Sequence, residues 1–386
     1  MERSQICHQN QWRSVTEPRP RFCPANHFLP STFLSTNPVI KISEHLIGPG
    51  HPCYIIAELS ANHGGEFAIA AETIRAMKAA GADAVKVQTY TADTLTIPSK
   101  KPSFLIGGGT LWDGRTLYDL YQEAFMPWEW QPRLQALAKG LGLDFFSSPF
   151  DATAVDFLET LKVPAHKIAS FELIDHPLLR KVAATKKPVI MSTGMATLAE
   201  IEESLGVLRT AASGPVALLK CTSSYPSLPE TMNLCTIQDM AARFQLPIGL
   251  SDHTHGHTVP VAAVALGACI VEKHFILSRA QGGPDSAFSL EPVEFRAMVD
   301  AIRITEKAIG QVCYEATASE VKSRIFRRSL FVVRDIKAGE AFTAKNVRCI
   351  RPVHGLHPRH LCEILGALAA TDIESGTPLS WDLVIR

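Results

Sequence analysis

Short runs of apolar and β-branched residues alternate along this chain with longer stretches in which apolar residues recur every three or four positions. The first pattern is typical of buried parallel strands, and the second of amphipathic helices that cover a sheet. The strand-like runs are CYIIAELS (53–60), AVKVQTY (84–90), LDFFSSPF (143–150), HKIAS (166–170), PVIMSTG (188–194), VALLKCTSSY (216–225), PIGLSDHT (247–254) and IVEKHFI (270–276). The helical patterns include FAIAAETIRAMKAAG, WQPRLQALAKGLG, DATAVDFLETL, LAEIEESLGVLRTA and VPVAAVALGA, and EPVEFRAMVDAIRITEKAIG follows the last run.

These elements predict the α/β class and, within it, one architecture. Eight strands, each followed by a helix, match the count and the size of about 250 residues of a (β/α)8 TIM barrel, which we assign to residues 38–310. A doubly wound open sheet is the competing architecture, but its glycine-rich fingerprint between a strand and a helix is missing. The one glycine cluster, IGGGTLWDG at 106–114, does not follow a strand directly, and we interpret it as a flexible surface loop.

The pattern changes at both ends of the chain. Residues 1–37 mix Arg, Gln, Pro, Ser and Asn without periodicity, which predicts a disordered N-terminal extension. Residues 311–326 are interpreted as a linker. Residues 327–386 contain short strand-like runs, the turn signals KAGE and ESGTP, and no long helical pattern, which predicts a small β-rich domain. A domain of this size is expected to dock on another surface.

Composition excludes several classes of function. The chain has 386 residues, of which 46% are hydrophobic, and its 38 basic residues balance its 38 acidic ones. This balance gives no general attraction to nucleic acid or to an anionic membrane. No apolar run approaches the roughly 20 residues that span a bilayer, and the first residues lack the apolar block of a signal peptide. A cytoplasmic location is the resulting expectation.

The nine cysteines are scattered and never form a C-x-x-C pair. This distribution argues against a disulfide scaffold and against a zinc–thiolate site. We therefore predict reduced thiols, most of them buried.

Polar residues gather at the C-terminal ends of the predicted strands, where TIM barrels place their chemistry. Every strand contributes to this set, so we expect a charged pocket at one mouth of the barrel. Its members are Glu58, Ser60, Asn62, His63, Lys86, Gln88, Ser147, Ser148, Asp151, Lys167, Ser170, Glu172, Ser192, Thr193, Thr222, Ser223, Tyr225, Ser251, Asp252, His253, Glu272, Lys273 and His274.

Two histidines in this set suggest a metal site. Side chains at i and i+2 of a strand share a face, so Glu272 lies beside His274, and Ser251 lies beside His253. Neighbouring strands are about 4.8 Å apart, close enough for two imidazoles to chelate one divalent ion. The alternative is that each is a hydrogen-bonded barrel histidine; the carboxylates nearby favour the metal.

Other histidines are interpreted differently. His255 and His257 follow the seventh strand, and we expect them to be surface or capping residues. A metallohydrolase would place H-x-H at the end of the first strand, where this chain has Asn62 and His63. That enzyme class is therefore the more distant alternative.

Lys86 and Lys167 lie within apolar strands, where a cation is costly to bury without an anionic partner. They could pair with Glu58 or Glu172. The functional alternative is a site for a phosphate or carboxylate group, to which the hydroxyls of the strand ends contribute. We favour the second, because the donors outnumber the nearby acids. The hydroxyls concerned belong to Ser148, Ser170, Ser223 and Ser251.

Several stretches resemble the sialic acid synthase family: IIAELSANHGG, DAVKVQTY, FFSSPFD, HKIAS, CTSSYP, GLSDHT, VEKHF and GGPDSAFSLEP. The resemblance runs from about residue 38 to the C-terminus. It implies a TIM barrel joined to a C-terminal antifreeze-like (SAF) domain. The implied reaction condenses phosphoenolpyruvate with an amino-sugar aldehyde to give a nonulosonic acid and phosphate.

Within that family the chain is similar to the pseudaminic acid synthase branch. The relevant stretches are ELSANH, GGTLWDGRTLYDLYQEAFMPWEW and GGPDSAFSLEP. N-acetylneuraminate synthases usually have a GPDH-type sequence where Ser286, Ala287 and Phe288 stand here, and commonly have Asn where Ser223 stands. The implied sugar is 2,4-diacetamido-2,4,6-trideoxy-L-altrose, whose 6-deoxy carbon would suit Phe288. N-acetylneuraminate or legionaminate synthesis is the alternative.

The resemblance also implies roles for matching residues. His253 and His274 would hold Mn²⁺ or Mg²⁺, which polarises the sugar aldehyde. Glu58 would position or deprotonate groups near the aldehyde, while Glu272 and Asp285 would manage protons as water adds and phosphate leaves. The implied substrate-binding residues are Lys86, Gln88, Ser148, Lys167, Ser170, Ser223, Tyr225, Ser251, Phe288 and Arg328.

The family further implies a domain-swapped homodimer, in which the C-terminal domain covers the partner's barrel and Arg328 contacts the sugar's acetamido group. A non-catalytic sugar- or ice-binding protein, suggested by the antifreeze-like segment alone, would not need charged strand ends. Lys273, which points away from the pocket, has no role in this scheme.

Overall fold

The structure is a computed structural model that describes residues 38–385. The N-terminal extension predicted for residues 1–37 lies outside the described residues. The chain divides between Ile309 and Gly310 into two compact units.

The first unit begins with a β-hairpin that the sequence analysis did not identify, formed by β1 (Ile40–Ile42) and β2 (His45–Ile47). Its apolar side chains, among them Ile42 and Ile47, pack against Tyr54 and Ile56 of the barrel interior. Asp144 accepts hydrogen bonds from Tyr54 Oη at 2.7 Å and lies 3.0 Å from Nδ1 of His45. The hairpin therefore closes the end of the barrel at which the strands begin.

Eight parallel strands form a closed barrel in sequential order, so the predicted TIM barrel is confirmed. The last strand pairs with the first, which closes the sheet. The strands are β3 (Tyr54–Glu58), β4 (Ala84–Thr89), β5 (Asp144–Pro149), β6 (His166–Ile168), β7 (Val189–Ser192), β8 (Val216–Cys221), β9 (Ile248–Asp252) and β10 (Ile270–His274).

Helices cover the outside of the barrel, and side chains cap several of their first turns. Thr197 and Glu200 form a reciprocal capping box, and the Asp151 carboxylate accepts from the backbone of the helix that it precedes. The helices are α1 (Phe67–Ala79), α2 (Ala92–Leu95), α3 (Leu117–Ala124), α4 (Gln131–Gly140), α5 (Ala152–Thr160), α6 (His176–Ala184), α7 (Leu198–Thr210), α8 (Thr236–Phe244), α9 (Thr258–Ala265) and α10 (Pro292–Ile309). All six predicted helical stretches are present; α2, α3, α6 and α8 were not among them.

Strand alternation separates two layers of the first unit. Outward residues such as Ile55 and Val271 pack against the helices, whereas inward residues such as Ile56 and Ile270 fill the lower barrel. Gly249 faces inward, where a Cβ would lie 2.6 Å from both Ile270 and Leu219. The lower barrel is thus packed solid, which leaves the C-terminal ends of the strands as the place where a TIM barrel binds its ligands.

The second unit has its own apolar core, which includes Leu330, Val332, Ile336, Phe342 and Leu379. Two antiparallel strand pairs, β11 with β12 and β13 with β14, frame this core. The elements are α11 (Ala318–Ser323), β11 (Ser329–Val332), β12 (Val347–Ile350), α12 (Leu361–Ile364), β13 (Leu368–Ala369) and β14 (Val384–Ile385). The short helix α11 lies in the stretch interpreted as a linker.

Two sequence expectations concern the described part of the chain as a whole. None of its helices is both long and apolar enough to cross a membrane. Its seven cysteines are all free. Among these seven, only Cys53, Cys221 and Cys269 are buried, so the expectation that most are buried does not hold for the described cysteines; Cys7 and Cys23 lie outside the described residues.

Candidate active site

The polar residues of the strand ends converge at one mouth of the barrel. The strands are parallel and in register, so their C-terminal residues meet at the same end. Most of the predicted site residues are buried there despite their polarity. These are Glu58, Lys86, Ser148, Lys167, Ser170, Ser251, His253, Glu272 and His274, with Phe288 beside them; Gln88, Ser223, Tyr225 and Asp285 are half-buried.

Two lysines and two glutamates form the centre of this cluster. Lys86 Nζ lies 2.5 Å from Oε2 of Glu58 and 3.1 Å from Oε1 of Glu272. Ser251 Oγ donates to the same Oε1 of Glu272 at 3.0 Å. The pairing of Lys86 with Glu58 is the one that we considered as an alternative role for this lysine.

The electrostatics of the cluster follow from burial and charge pairing. Burial lowers the pKa of Lys86 to about 8, and the Glu272 carboxylate opposes that shift. Burial also disfavours ionised Glu272, but Lys167 and Lys86 outweigh it and hold the pKa of Glu272 below its ordinary value. Both members of the pair are therefore charged at neutral pH.

Lys167 differs from Lys86 in having mainly neutral partners. Its Nζ donates to the carbonyl of Ile168 at 2.9 Å and to Ser192 Oγ at 2.7 Å, while Glu272 Oε1 lies 3.8 Å away. Hydroxyl and carbonyl partners do not neutralise the charge of a buried cation, so most of its electrostatic attraction stays available to an incoming anion. Lys167 is thus the cation best disposed to bind a phosphate or carboxylate.

Gly194 follows β7 and forms a close-packed point between two of the serines. Its N–H donates to Ser170 Oγ at 3.1 Å. A Cβ at this position would overlap Ser170 Oγ and Ser223 Oγ, so any side chain would displace both hydroxyls. This glycine ends one of the predicted strand runs, but its sequence context indicates no role for it, since the contacts come from the ends of two other strands.

His253 and His274 lie side by side, with ring centroids 5.4 Å apart. His253 Nδ1 is 3.0 Å from the carbonyl oxygen of Thr222, which can accept only from a protonated nitrogen; Nε2 therefore carries the lone pair of the neutral ring. This is the arrangement usual for a metal-binding histidine, whose other nitrogen donates to an outer partner.

His274 is also suited to ligation. Burial, followed by repulsion from His253 and Lys86, holds the pKa of His274 well below its ordinary value, so its ring is neutral. Its buried Nδ1 has no hydrogen-bond partner among the described residues and lies 3.8 Å from Oδ2 of Asp285. That carboxylate accepts from Ser60 Oγ at 2.5 Å. Two adjacent imidazoles, one of them with an unsatisfied ring nitrogen, fit a divalent ion whose other ligands are water or substrate. Within residues 38–385 no three His, Cys, Asp or Glu side chains form a complete ligand set.

Aromatic rings line the cluster beside the two imidazoles. Phe288 lies 4.9 Å from the His274 ring, and Tyr225 lies 4.4 Å from the His253 ring and 5.3 Å from Phe288, all between centroids. Together the rings give the mouth one apolar wall. A ligand bound against it would need an apolar surface as well as polar groups.

The glycine-rich segment 106–114 reaches this wall. Its glycines Gly107, Gly108 and Gly109 are exposed, as expected for a surface loop. Trp112, however, is half-buried: its indole N–H donates to the carbonyl of Pro284 at 3.1 Å, and its ring lies 5.7 Å from Tyr225. The interpretation as a mere surface loop missed this contact, which joins residues far apart in the sequence.

Glu172 is a further residue whose role the sequence analysis left open. Burial raises its pKa to about 7, against the opposing influence of Lys167. Its Oε2 is buried and makes no hydrogen bond within the described chain. Glu172 therefore offers a carboxyl group that can hold or release a proton near neutral pH. Its position two residues after Ser170 was the available signal.

Asn62 and His63, which follow the first barrel strand, make contacts within the fold. Asn62 Nδ2 donates to the carbonyl of Phe275 at 3.0 Å and to Ser289 Oγ at 2.8 Å. His63 packs edge-on against Trp130, and burial lowers its pKa to about 4.

His255 is exposed, and His257 precedes α9 without making a side-chain cap. Arg328 is an exposed residue of the second unit, just before β11.

Comparisons with known proteins agree on one family. A profile described as NeuB family matches residues 73–314, and a SAF domain profile matches residues 327–385. The chain is 46% identical over 326 residues to a pseudaminic acid synthase of Campylobacter jejuni, covering 84% of this chain and 95% of the relative. It is 45% identical to the pseudaminic acid synthase of Helicobacter pylori, covering 87% and 98%.

Among solved structures, the N-acetylneuraminic acid synthetase of Leptospira borgpetersenii in complex with citrate superposes with a TM-score of 0.67. The two are 31% identical, and the match covers 74% of this chain and 95% of that one. The predicted combination of a TIM barrel with a SAF domain is confirmed.

Proposed function

Because this chain belongs to the NeuB family, we propose that the cluster at the barrel mouth condenses phosphoenolpyruvate with 2,4-diacetamido-2,4,6-trideoxy-L-altrose and water, giving pseudaminic acid and phosphate. The chain is a phosphoenolpyruvate-dependent nonulosonic acid synthase, acting as a pseudaminic acid synthase. The observation that carries this function is the buried cluster of lysines, serines, carboxylates and paired imidazoles, in a chain 45% and 46% identical to pseudaminic acid synthases.

The anionic substrate is assigned to the lysine side of the mouth. Lys167 and Lys86 supply the positive charge that a phosphate and a carboxylate require. Hydroxyl groups from neighbouring strands complete the binding of this anionic substrate. One of them, Ser148 Oγ, lies 3.4 Å from Lys86 Nζ. The hydroxyls are those of Ser148, Ser170, Ser223 and Ser251.

The sugar is assigned to the imidazole side. A divalent ion, Mn²⁺ or Mg²⁺, held by His253 and His274 would polarise the aldehyde oxygen for attack by C3 of phosphoenolpyruvate. Phe288 and Tyr225 present an apolar wall that suits a 6-deoxy sugar. Gln88 Nε2 donates to Glu58 Oε1 at 3.1 Å and holds that carboxylate toward the pocket.

Protons move in the second half of the reaction, as water adds to the oxocarbenium carbon and phosphate leaves. Glu272 and Asp285 are our candidates for accepting the proton of that water. Glu172, with a pKa of about 7, could supply or receive a proton at the same pH. Trp112, which lies against Pro284 beside the mouth of the barrel, would limit access of bulk water to the intermediate.

The decisive assay measures phosphate release with a panel of acetamido sugars. We expect release only when both phosphoenolpyruvate and a sugar are present, and fastest with the 2,4-diacetamido-2,4,6-trideoxy-L-altrose. Faster turnover of N-acetylmannosamine or of the legionaminate precursor would assign the chain to those alternative activities. Release of phosphate from another phosphate ester, in the absence of phosphoenolpyruvate, would favour a metallohydrolase.

Gly194→Ala tests the assignment of the phosphoenolpyruvate site. Because the new Cβ would displace the hydroxyls of Ser170 and Ser223, we expect KM for phosphoenolpyruvate to rise about tenfold, equivalent to the loss of one hydrogen bond to a charged group. The KM for the sugar should change little. Gly206→Ala is the matched control, since Gly206 lies in α7 with open space around it. An unchanged KM for phosphoenolpyruvate would remove these serines from the anion site.

We also propose a cytoplasmic location, which cell fractionation would test.

A domain-swapped homodimer and a role for Arg328 in it are further proposals. In a domain-swapped homodimer Arg328 of one chain would contact the sugar bound to the other. We expect Arg328→Ala to raise KM for the sugar about tenfold while leaving KM for phosphoenolpyruvate unchanged. Mixing this variant with an inactive His274→Ala chain should restore part of the activity, since one of the mixed sites is intact. No restoration would place Arg328 in its own chain's site or outside any site.

A further inference from the structure

Lys273 is a fully buried lysine that the proposed reaction does not use. It lies on β10 and faces the helices rather than the barrel interior, as does its strand neighbour Val271. Its Nζ is 2.5 Å from Oδ2 of Asp252 and also donates to the carbonyl oxygen of Thr254. Neither partner in this ion pair is exposed to solvent.

The Asp252 carboxylate holds the turn that follows β9. Besides Lys273, it accepts from the backbone N–H of Thr254 at 3.2 Å and from Thr254 Oγ1 at 3.0 Å. Lys273 contacts the carbonyl of the same threonine. The ion pair therefore constrains the chain on both sides of His253, which lies between Asp252 and Thr254.

The pair also stands directly behind both imidazoles. Asp252 and Lys273 are opposite each other in the parallel register of β9 and β10. His253 follows Asp252, and His274 follows Lys273, so strand alternation turns the two rings to the inner face while the ions face outward. One contact on the outer face thus links the residues next to the two candidate ligands.

Stability alone is a poor explanation for this ion pair. Removing both charges from water is costly, and apolar side chains of similar volume often stabilise a core equally well or better. The best attested use of a buried ion pair is to specify register. Here the register concerned is that of the two strands that carry His253 and His274.

We propose that the ion pair between Lys273 and Asp252 sets the spacing of the imidazoles of His253 and His274, and that Lys273 is a positioning residue for the metal site. The consequence for metal binding rests on the proposed function, whereas the spacing itself does not. The chemistry that it serves is chelation of one divalent cation by two nitrogens, which tolerates displacements of only about 0.5 Å.

The first variant is Lys273→Met, which keeps most of the length of the unbranched side chain and removes its charge. We expect Mn²⁺, titrated by electron paramagnetic resonance, to bind about 10 to 100 times more weakly, the size of effect known when the residues that orient a metal ligand are lost. KM for phosphoenolpyruvate should stay within about twofold, since the lysines of the anion site are untouched. Arg303→Met is the control: it breaks an ion pair with Asp83 near the start of β3 and should leave Mn²⁺ affinity unchanged.

A second variant covers the case in which Lys273→Met does not fold. Lys273→Met combined with Asp252→Leu removes both charges, so that no uncompensated ion stays buried. Crystal structures of this variant and of the wild-type protein would give the separation of the two ring centroids, which is 5.4 Å here. We expect the separation to change by more than about 0.5 Å or the rings to become disordered.

The outcomes separate this inference from the metal assignment. Unchanged ring spacing with unchanged Mn²⁺ affinity would overturn the inference and leave the pair a purely structural contact. If wild-type protein binds no Mn²⁺ through these histidines, the proposed metal role is wrong. The crystal structures alone then test whether the ion pair sets the spacing of the two imidazoles. Altered spacing then supports it, and unaltered spacing overturns it.

Discussion

Replacing His274 with alanine is expected to lower the rate of phosphate release about a thousandfold or more, because the substitution removes one of two imidazoles proposed to hold the metal that stabilises the developing charge on the aldehyde oxygen. The variant should also lose measurable Mn²⁺ binding. Its fold should persist, since His274 Nδ1 makes no hydrogen bond with any described residue and lies 3.8 Å from Asp285, while the ring packs against His253 and Phe288.

The assay for His274→Ala uses chelator-treated buffer to which Mn²⁺ is added back. His255→Ala is the matched control, because His255 is exposed and lies two residues after His253. The control should keep wild-type turnover and wild-type Mn²⁺ affinity. Full activity of His274→Ala under these conditions would contradict the metal assignment while leaving the anion site untouched.

Replacing Lys86 with methionine is expected to damage both stability and catalysis. Lys86 lies 2.5 Å from Glu58 and 3.1 Å from Glu272, and all three are buried. Removing the cation takes away the charged partner of Glu58 and one of the two lysines beside Glu272, which costs about 3 to 5 kcal/mol of the free energy of unfolding at neutral pH. Turnover should fall as well, because the anion site loses one of its two lysines.

The pH dependence of this effect has a definite sign. In the wild-type protein the pKa of Glu272 is held below its ordinary value, so its contribution to stability is present above the unfolded pKa and is lost as pH falls through the folded one. In Lys86→Met the pKa of Glu272 should instead rise, since only Lys167 still opposes the effect of burial. The variant's deficit in stability should therefore shrink between pH 7 and pH values near the carboxyl range, about 4 to 5.

Urea unfolding at pH 7 and pH 5 measures this deficit. Lys41→Met is the control, because its pair with Glu44 is exposed and should contribute little at either pH. The double variant Lys86→Met with Glu58→Gln also removes the negative charge of Glu58, and it should recover part of the lost stability. A deficit that grows toward pH 5 would mean that the carboxylates are not what destabilises the variant.

The sequence alone determined the architecture and most of the site. Each of the eight apolar runs became a strand of the barrel, because the period of burial along a strand and a helix is a local property of the chain. The closed parallel barrel then brings every strand end to one mouth. The strand alternation was also sufficient to place Glu272 with His274 and Ser251 with His253 on the inner face.

Pairing partners required the tertiary structure. The alternatives offered for Lys86 were Glu58 and Glu172, whereas in the structure Lys86 contacts Glu58 and Glu272 together. Lys273 had no explanation until its partner Asp252 was found on the neighbouring strand. Sequence separation does not limit such contacts, because strand ends distant in the chain are adjacent in the barrel.

The loops were the least predictable part of the site. Trp112 reaches Pro284 from 172 positions away, and the contact depends on the course of an exposed segment that no periodic pattern describes. Gly194 was ordinary in sequence, yet two hydroxyls from other strands leave no room for a side chain. The periodic pattern of the chain thus determined which residues face the mouth. Only the packing of distant segments decided which of them touch, since these distances and the resulting pKa values exist only in the folded chain.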